Sequence, residues 1–505
     1  MRTLFVALVG MSCGISLVSG QGFNKRYDAN GMGYEQGAYG IEPMPSGHAI
    51  FDFSYEPDTI APDTVIGTYR IVITGINETG EVLWEKKHTV HQKSMYLGWA
   101  DCCDTVSGGF VSAGTIGGSD MIGSVRLMRY DANGDTLWVR EFGGPGETWV
   151  GSQVKHTSDD GFLICGYTDA FSLSDAFALK VDADGNEQWR EHYNLGGNVP
   201  VDFCVIQESS TGYYLAGNKH LNAEDRDFYV VKVDGSGDEL WSSSFGGPFP
   251  EPASSLLLHS SGSLFLLGAW DEGTNGQQRP YLALLDTLDG GIVWDRTYGP
   301  AIYSTTFFAA KECPNTDIIA CGVNYQGAVE RGMLLRATSN GDSLWMRNYN
   351  FHDDVIETGE GRFWDVLPTA DGGFIATGFM NGPYPMGYSQ DAWVVKVDSM
   401  GCIVPGCDGT GVTEVITNLQ GTLTVYPNPA HGQVQVALDL PANFKLGALD
   451  LSIVGMDGRV VRRIPWSGNG SSTMRVDVSD LSAGMYTLHV TDGTKWITGT
   501  KLVIE

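Results

Sequence analysis

The sequence predicts an all-β protein: a seven-bladed β-propeller followed by a small immunoglobulin-like β-sandwich. Glycine supplies 67 of the 505 residues and only 18% are charged, a balance typical of many short strands joined by tight turns. A second observation is a tryptophan that recurs roughly every 52 residues, at Trp84, Trp138, Trp189, Trp241, Trp294 and Trp345. The third is that this repeat stops before the last 85 or so residues, which therefore form a separate domain.

Residues 1–20 have the features of a secretory signal peptide. Arg2 is followed by an apolar stretch and then by the small residues Val18-Ser19-Gly20, which suit a cleavage site. A membrane anchor would need about 20 apolar residues, and this stretch is interrupted by serine and glycine. We therefore expect cleavage before Gln21, an exported mature chain, and no transmembrane segment after cleavage.

Cleavage would leave eight cysteines, and export makes disulfides possible. Cys402 and Cys407 flank a Pro-Gly turn in the segment GCIVPGC, and we predict that they pair. The other six fit either further disulfides or buried free thiols, as for Cys165 within an apolar run.

Each repeat predicts four short strands. In the copy spanning 159–193, large apolar residues at Phe177, Leu179 and Val181 alternate with smaller or polar ones, which is the period of a strand. A tight turn, Asp182 to Asn186, then leads into the strand that carries the tryptophan. Four strands in every 50 or so residues, without helical periodicity, are typical of propeller blades.

The last repeat lacks its outer strand, because Pro405 stands where the tryptophan should be. Phe23-Asn-Lys-Arg-Tyr27 has the aromatic and basic pattern of the outer strand Trp345–Tyr349. We therefore predict that residues 22–28 complete the last blade and close the ring, which hides two sheet edges. This gives a seven-bladed propeller over residues 21–410, with six or eight blades as alternatives.

After a linker at 411–420, residues 421–505 form the second predicted domain. Alternating patterns predict strands that together suggest an immunoglobulin-like sandwich, at 422–426, 433–438, 449–454, 474–477, 485–490 and 496–504.

Three segments of this domain resemble the C-terminal sorting domain of type IX secretion substrates. They are Tyr426-Pro427-Asn428-Pro429, the Asp-Gly458-Arg hairpin and Gly484-Met-Tyr486, in that order. The resemblance implies passage through the type IX secretion machinery and a secreted or outer cell-surface destination. An ordinary interaction sandwich is the alternative.

The propeller repeats are similar to glycine-rich propellers that often precede such domains, but these have no general activity to carry over. The formal charge of −29 would repel nucleic acid from most of the surface, so we expect no nucleic-acid partner. Because nucleophile-elbow, zinc-protease and P-loop motifs are missing from the sequence, no catalytic residue is assigned.

Weak binding candidates are Glu147, Asp202 and Glu251, which recur after Gly-Gly pairs where each blade begins. They would form an acidic mouth of the channel for a cation or a sugar, or they are simply solvated turn residues.

Calcium is a further possibility at Asp131, Asn133, Asp182 and Asp184, which place oxygens at alternate positions. Hydrogen-bonded turns need the same residues, so no cofactor is expected overall.

The sequence thus predicts an exported binding, adhesion or scaffold propeller, with carbohydrate or a surface protein as its partner. A secreted hydrolase or lyase acting on polysaccharide in the channel is the alternative. A quinoprotein dehydrogenase is a remote one, suggested by the tryptophan motif and by Cys102-Cys103.

Overall fold

The computed structural model describes most of the chain, and all regular structure in the described residues is β-strand. The described ranges are 22–28, 35–61, 64–90, 93–98, 102–117, 123–144, 146–170, 173–195, 199–222, 225–271, 277–299, 304–326, 329–351, 360–384, 387–403, 423–439, 449–455, 460–466, 472–492 and 495–505. The predicted signal peptide, 1–20, and linker, 411–420, lie outside them. The described residues contain no helix that is long and apolar enough to cross a membrane.

The repeats form seven antiparallel sheets, six with four strands and one with five. The first sheet contains β2 (Gln36–Met44), β3 (Gly47–Ala61), β4 (Thr64–Ile76) and β5 (Val82–His88). The second contains β6 (Ser94–Leu97), β7 (Cys103–Val106), β8 (Gly109–Gly117), β9 (Gly123–Asp131) and β10 (Thr136–Phe142). Its innermost position is shared by β6 and β7, which both pair with β8.

The next four sheets follow the repeat regularly. The third contains β11 (Thr148–His156), β12 (Phe162–Ala170), β13 (Leu173–Val181) and β14 (Glu187–Tyr193), and the fourth contains β15 (Val201–Ser209), β16 (Gly212–Asn222), β17 (Asp225–Val233) and β18 (Glu239–Phe245). The fifth contains β19 (Ala253–Leu258), β20 (Leu264–Asp271), β21 (Gln278–Leu285) and β22 (Ile292–Thr297), and the sixth contains β23 (Ser304–Glu312), β24 (Ile318–Gln326), β25 (Val329–Ala337) and β26 (Ser343–Tyr349).

The seventh sheet joins the two ends of the propeller. It contains β27 (Glu360–Pro368), β28 (Phe374–Tyr384), β29 (Gly387–Val397) and, as its outer strand, β1 (Phe23–Tyr27). Phe23 pairs with Lys396 and Arg26 with Trp393, and the Trp393 Nε1–H donates to Asn24 Oδ1 at 2.6 Å. The N-terminal strand therefore occupies the place for which the sequence predicted it.

The sheets form a closed ring. Each first strand contacts the first strands of its neighbours, and β2 contacts both β27 and β7, so the ring has no open end. The hydrophobic cores lie between adjacent sheets, as where Tyr193 of the third sheet packs on Phe203 of the fourth. This arrangement is a β-propeller with seven sheets among the described residues.

The recurring tryptophan and turn glycine contact each other across neighbouring sheets. Gly237 has a φ of +89°, and a Cβ there would lie 2.8 Å from the Trp189 ring of the preceding sheet. The same contact recurs at Gly134 on Trp84, Gly185 on Trp138, Gly290 on Trp241, Gly341 on Trp294 and Gly401 on Trp345. At the closure, Gly80 lies against Phe23. The recurring tryptophan and turn glycine of the sequence therefore correspond to a contact between neighbouring sheets.

The C-terminal domain is a sandwich of two antiparallel sheets. The strands are β30 (Leu423–Tyr426), β31 (Gln433–Leu438), β32 (Leu449–Gly455), β33 (Val460–Pro465), β34 (Ser472–Asp477), β35 (Gly484–Asp492) and β36 (Lys495–Ile504). One sheet has the order β30-β31-β34 and the other β33-β32-β35-β36. They share one core, in which Val436 of the first sheet and Leu451 and Leu488 of the second are fully buried.

Candidate binding site at the centre of the propeller

A cavity of about 560 Å³ lies at the centre of the ring, where the first strands of the third to seventh sheets meet. Its wall mixes aromatic and polar side chains, as ligand sites generally do. The lining residues are Ser152, Tyr167, Asp202, Phe203, Cys204, Asn218, Arg226, Pro252, Ala253, Ser254, Gln278, Ser304, Thr306, Phe308, Val323, Tyr325, Arg362 and Trp364.

A continuous row of aromatic rings begins in this cavity and crosses to the second sheet. We call it the aromatic row: Phe308, Trp364, Tyr39, Phe53, Tyr69 and Tyr96. Successive ring centroids are 4.1, 5.1, 5.3, 5.4 and 4.7 Å apart. Trp364 is buried, Tyr96 is 41% exposed, and the other four rings are half-buried. The row thus presents ring surface to solvent over several side-chain lengths.

A second cavity, of about 300 Å³, lies at the other end of the row. Tyr39, Phe53 and Tyr96 form part of its wall, together with Gly98 and Thr115. Burial raises the pKa of Tyr39 to about 12, so this phenol keeps its proton as a hydrogen-bond donor at neutral pH. The aromatic row therefore connects two concave regions.

Charged groups stand beside the rings in the larger cavity. The Arg362 guanidinium lies 5.7 Å from the Trp364 ring centroid and 5.8 Å from that of Tyr325. Its charge is balanced by Glu330, with Nε donating to Oε2 at 3.1 Å. An arginine held near aromatic rings in this way can donate its remaining N–H groups to ligand oxygens.

The three acidic residues predicted from the sequence lie near the starts of their first strands, at different register positions and with different partners. Glu147 precedes β11 and accepts a hydrogen bond from Trp149 Nε1 at 3.1 Å. Asp202, inside β15, lines the larger cavity, where it accepts from Asn218 Nδ2 at 2.9 Å and lies 2.7 Å from His220 Nε2. The first two acids are therefore already engaged.

Glu251 precedes β19 and is fully buried. Its neighbours are Asp225 and Asp227 of β17, and the carboxylate oxygens of the three lie within 4.8 Å of one another. Burial, followed by the charges of the nearby aspartates, raises the pKa of Glu251 to about 7. Burial and the Asp225 charge also raise the pKa of Asp227. Glu251 thus belongs to a cluster that contains neither Glu147 nor Asp202.

The calcium candidates lie on the outer hairpins. Asp131 Oδ1 accepts the backbone N–H of Asn133 at 2.8 Å and of Asp135 at 3.0 Å. Asp182 Oδ1 accepts in the same way from Asp184 and Asn186, and the hydrogen bonds from Asn186 lower its pKa. These carboxylates fold the turns, as an Asx turn requires.

Cys402 is disulfide-bonded, whereas its predicted partner Cys407 lies outside the described residues. The pairing itself therefore remains a prediction. In the described residues, no disulfide is formed by Cys102, Cys103, Cys165, Cys204, Cys313 or Cys321. The adjacent cysteines Cys102 and Cys103 are buried between the first two sheets and are not bonded to each other.

The sorting-motif residues lie along one edge of the sandwich. Tyr426 ends β30 and is 76% exposed. Asn428 bridges to β36, with Nδ2 donating to the Lys501 carbonyl at 2.7 Å and Oδ1 accepting from the Val503 N–H at 2.8 Å. Tyr486 donates to the Ser482 carbonyl at 2.9 Å. Pro427 and Pro429 flank Asn428, Gly484 begins β35, and Gly458 lies outside the described residues.

Sequence reasoning missed the aromatic row and the two aspartates that meet Glu251. The aromatic residues come from β2, β3, β4, β6, β23 and β27, and nothing in their spacing along the chain signals that they meet. Asp227 lies five residues before a buried lysine, a spacing that recurs at Asp175 and Asp391. Asp225, two residues earlier, is an additional acid that this spacing does not predict.

Comparison with known proteins identifies the C-terminal domain. Residues 424–505 match the family described as the secretion system C-terminal sorting domain. The search of curated proteins gives no match. The chain is therefore a substrate of type IX secretion, and this domain directs it out of the cell, to be released or attached at the cell surface.

Solved structures similar to the chain are remote. The subtype N10 neuraminidase-like protein of A/little yellow-shouldered bat/Guatemala is 7% identical, with a TM-score of 0.32, over 71% of this chain and 93% of that one. Sqt1 from Chaetomium thermophilum is 12% identical, with a TM-score of 0.33, over 68% and 95%.

An α-L-arabinanase from Penicillium chrysogenum, complexed with arabinobiose, is 11% identical, with a TM-score of 0.36, over 72% and 93%. Similarities this low carry no functional argument. The propeller assignment rests on the sheet topology described above.

Proposed function

We propose that the exported propeller binds a neutral sugar chain along the aromatic row, with the end of the chain held in the larger cavity. The observation that carries this proposal is the row itself: six rings, each within 5.4 Å of the next, leading out of a cavity of about 560 Å³. A sugar ring has an apolar face of C–H bonds, which packs on an aromatic face, while its edge carries hydroxyl groups.

The polar groups of the cavity match those hydroxyls. Arg362, Asp202, Asn218 and Gln278 lie in its wall and already make hydrogen bonds within the protein, so a bound sugar would use the donor and acceptor positions that these bonds leave. The positive charge of Arg362 is balanced by Glu330, so this arginine adds no net charge to the cavity. With a formal charge of −29 on the whole chain, an anionic polysaccharide would be repelled, so a neutral one is favoured.

The test is a glycan and polysaccharide array probed with the mature chain, residues 21–505, followed by calorimetry on the sugars that bind. We expect Phe308→Ala and Tyr96→Ala each to weaken binding about tenfold, since a lost aromatic contact is worth roughly 1 kcal/mol or more. Tyr426→Ala removes a more exposed ring from the sorting domain and serves as the control, with unchanged affinity.

Two results would contradict the proposal. The first is an array without any sugar bound above background. The second is sugar binding that both row variants retain at full strength, which would place the site elsewhere on the propeller.

A secreted hydrolase or lyase is the second candidate, favoured by one observation. His220 and Asp202 form a pair at the cavity wall, with Nε2 and Oδ2 2.7 Å apart, and such a pair can transfer a proton to or from a bound sugar. Incubation with each sugar that binds should then release reducing ends or unsaturated products. Asp202→Asn should abolish this release while binding persists, and a wild-type chain that leaves every bound sugar intact would exclude the enzyme.

A further inference from the structure

Three carboxylates meet between the fourth and fifth sheets, next to the larger cavity. Asp225 and Asp227 are two residues apart at the start of β17 and therefore point to the same face of the strand. Glu251 reaches them from the segment before β19, and the oxygens of all three lie within 4.8 Å of one another. We call these residues the acidic cluster.

The cluster contains buried oxygens without partners. Glu251 is 0% exposed. Its Oε2 accepts the Gly247 N–H at 3.0 Å, while its Oε1, like Asp225 Oδ1, has no hydrogen-bond partner. Within the part of the chain that the structure describes, no lysine or arginine forms an ion pair with any of the three acids. Buried carboxylate oxygens left in this state are costly, so a group that binds them would stabilise the fold.

Two glycines bring the backbone close to these oxygens. A Cβ on Gly246 would clash with Asp227 and would lie 2.8 Å from Glu251 Oε2, and one on Gly247 would lie 3.1 Å from Glu251 Oε1. A side chain at Gly246 would therefore displace Asp227 and Glu251, whereas one at Gly247 would need only a small shift of Glu251. Gly246 and Gly247 thus border the space around which the oxygens converge.

We propose that Asp225, Asp227 and Glu251 bind one calcium ion between the fourth and fifth sheets. Carboxylate oxygens are the ligands that hard divalent cations prefer. Calcium binds oxygen at about 2.3 to 2.6 Å, so oxygens sharing one ion lie at most about 5 Å apart, which the cluster satisfies. The flexible coordination of calcium also accepts the further oxygens that solvent or a ligand would supply.

The ion would tie β17 to the segment that enters the next sheet. Arg226 and Pro252, the neighbours of the cluster residues in sequence, both line the larger cavity. Bound calcium would therefore fix part of the cavity wall. The three carboxylates come from the protein and water can complete the coordination, so the site is measured with calcium alone and without sugar.

The experiment is calorimetric titration of the chelator-treated mature chain with calcium chloride. We expect saturable binding that Asp225→Asn and Glu251→Gln each weaken about tenfold or more, since even outer-shell changes at metal sites have effects of that size. Gly246→Ala should also weaken binding, because its methyl group would displace two of the ligands. Glu147→Gln makes the same change at the start of the third sheet, outside the acidic cluster, and should leave the affinity unchanged.

Since Glu251 is buried, its variant could fail to fold, and Asp225→Asn, at a half-buried position, keeps the test decisive. Calcium should raise the melting temperature of the wild type and of Glu147→Gln but not that of Asp225→Asn. The proposal would be overturned by a wild type that binds no calcium. It would also be overturned if Asp131→Asn or Asp182→Asn abolished binding while Asp225→Asn did not, which would move the ion to the outer turns.

Discussion

The outer and inner edges of the propeller sheets differ in how regularly their contacts repeat from sheet to sheet. At the outer edge, every turn glycine packs against an aromatic ring of the preceding sheet, including Gly80 against Phe23 where the ring closes. At the inner edge, Glu147, Asp202 and Glu251 lie at different register positions near the starts of their strands and have unrelated partners: a tryptophan, a histidine and two aspartates.

This difference separates structure from function within one repeat. The contact between turn glycine and aromatic ring recurs in all seven sheets and joins neighbouring sheets beside the cores that lie between them. The inner acids have partners that differ from sheet to sheet, so they do not belong to a repeated structural contact. The inner edge of the third to seventh sheets, where these differences coincide with the larger cavity, is therefore where activity should be sought.

Removing the closing strand should have the largest effect. Deletion of residues 22–28 leaves the edge of β29 unpaired and takes Phe23 away from Gly80. We expect a strong drop in melting temperature and loss of a cooperative transition, measured by calorimetry. A synthetic peptide of residues 21–28 should restore part of the stability. If the deletion melts as the wild type does, the outer contacts do not hold the ring.

An inner-edge carboxylate should make stability depend on pH. Glu42 of β2 accepts a hydrogen bond from Thr105 Oγ1 at 2.6 Å, and burial, with the nearby Asp104 charge, raises its pKa to about 8. The unfolded chain releases this proton near its ordinary pKa of about 4.5. Between these values the folded state holds more protons, so stability falls as the pH rises.

Glu42→Gln keeps the shape of the side chain and removes the titration. We expect the variant to gain stability over the wild type between pH 5 and pH 8, by up to about 4 kcal/mol, while at pH 4 the two should be alike. Melting curves across this range test the prediction. A difference between variant and wild type that stays constant with pH would contradict it.

Turn glycines should separate backbone strain from contact between sheets. Gly237 and Gly262 have similar φ values of +89° and +84°, but only Gly237 faces a tryptophan, whereas a Cβ on Gly262 would meet nothing within 4 Å. We expect Gly262→Ala to cost about 1 kcal/mol from strain alone and Gly237→Ala about 2 to 3 kcal/mol. Equal losses in urea denaturation would mean that the tryptophan contact contributes nothing.

The smallest effect should come from single hydrogen bonds across the closure. Tyr27 donates to the Gly80 carbonyl at 2.8 Å, and Tyr349 donates to the Gly401 carbonyl at 2.7 Å. Tyr27→Phe and Tyr349→Phe should each cost about 1 kcal/mol, while Tyr426→Phe, at an exposed site, should cost nothing. A larger loss at Tyr27 than at Tyr349 would show that the closing strand is held differently from the other outer strands.

The outer edge could be predicted from sequence because its contacts repeat. Phe23 and Tyr27 matched Trp345 and Tyr349, and they occupy the equivalent place in the structure. The edge strand β33 was not predicted, because Arg462 and Arg463 interrupt its apolar pattern. The sequence also gave no sign that the inner strand of the second sheet is divided into β6 and β7.

The candidate site was largely hidden from sequence analysis. Glu251 and Asp202 were identified by their repeated position, but their partners depend on how neighbouring sheets meet. Tyr96 and Phe308 are more than 200 residues apart in the sequence, and only the curvature of the ring brings them into one row. The periodicity of the sequence predicts the strands, but a site between sheets depends on residues that differ from one repeat to the next.

The pairing of β1 with β29 also determines when the propeller ring can close. Asn24 and Trp393, joined by a hydrogen bond, are separated by 369 positions, so the first strand of the propeller can pair only after its last strand, β29, has been synthesised. Such a distant pairing is slow to form. The ring therefore stays open until β29 has been synthesised. It closes only when β1 and β29 are in the same compartment.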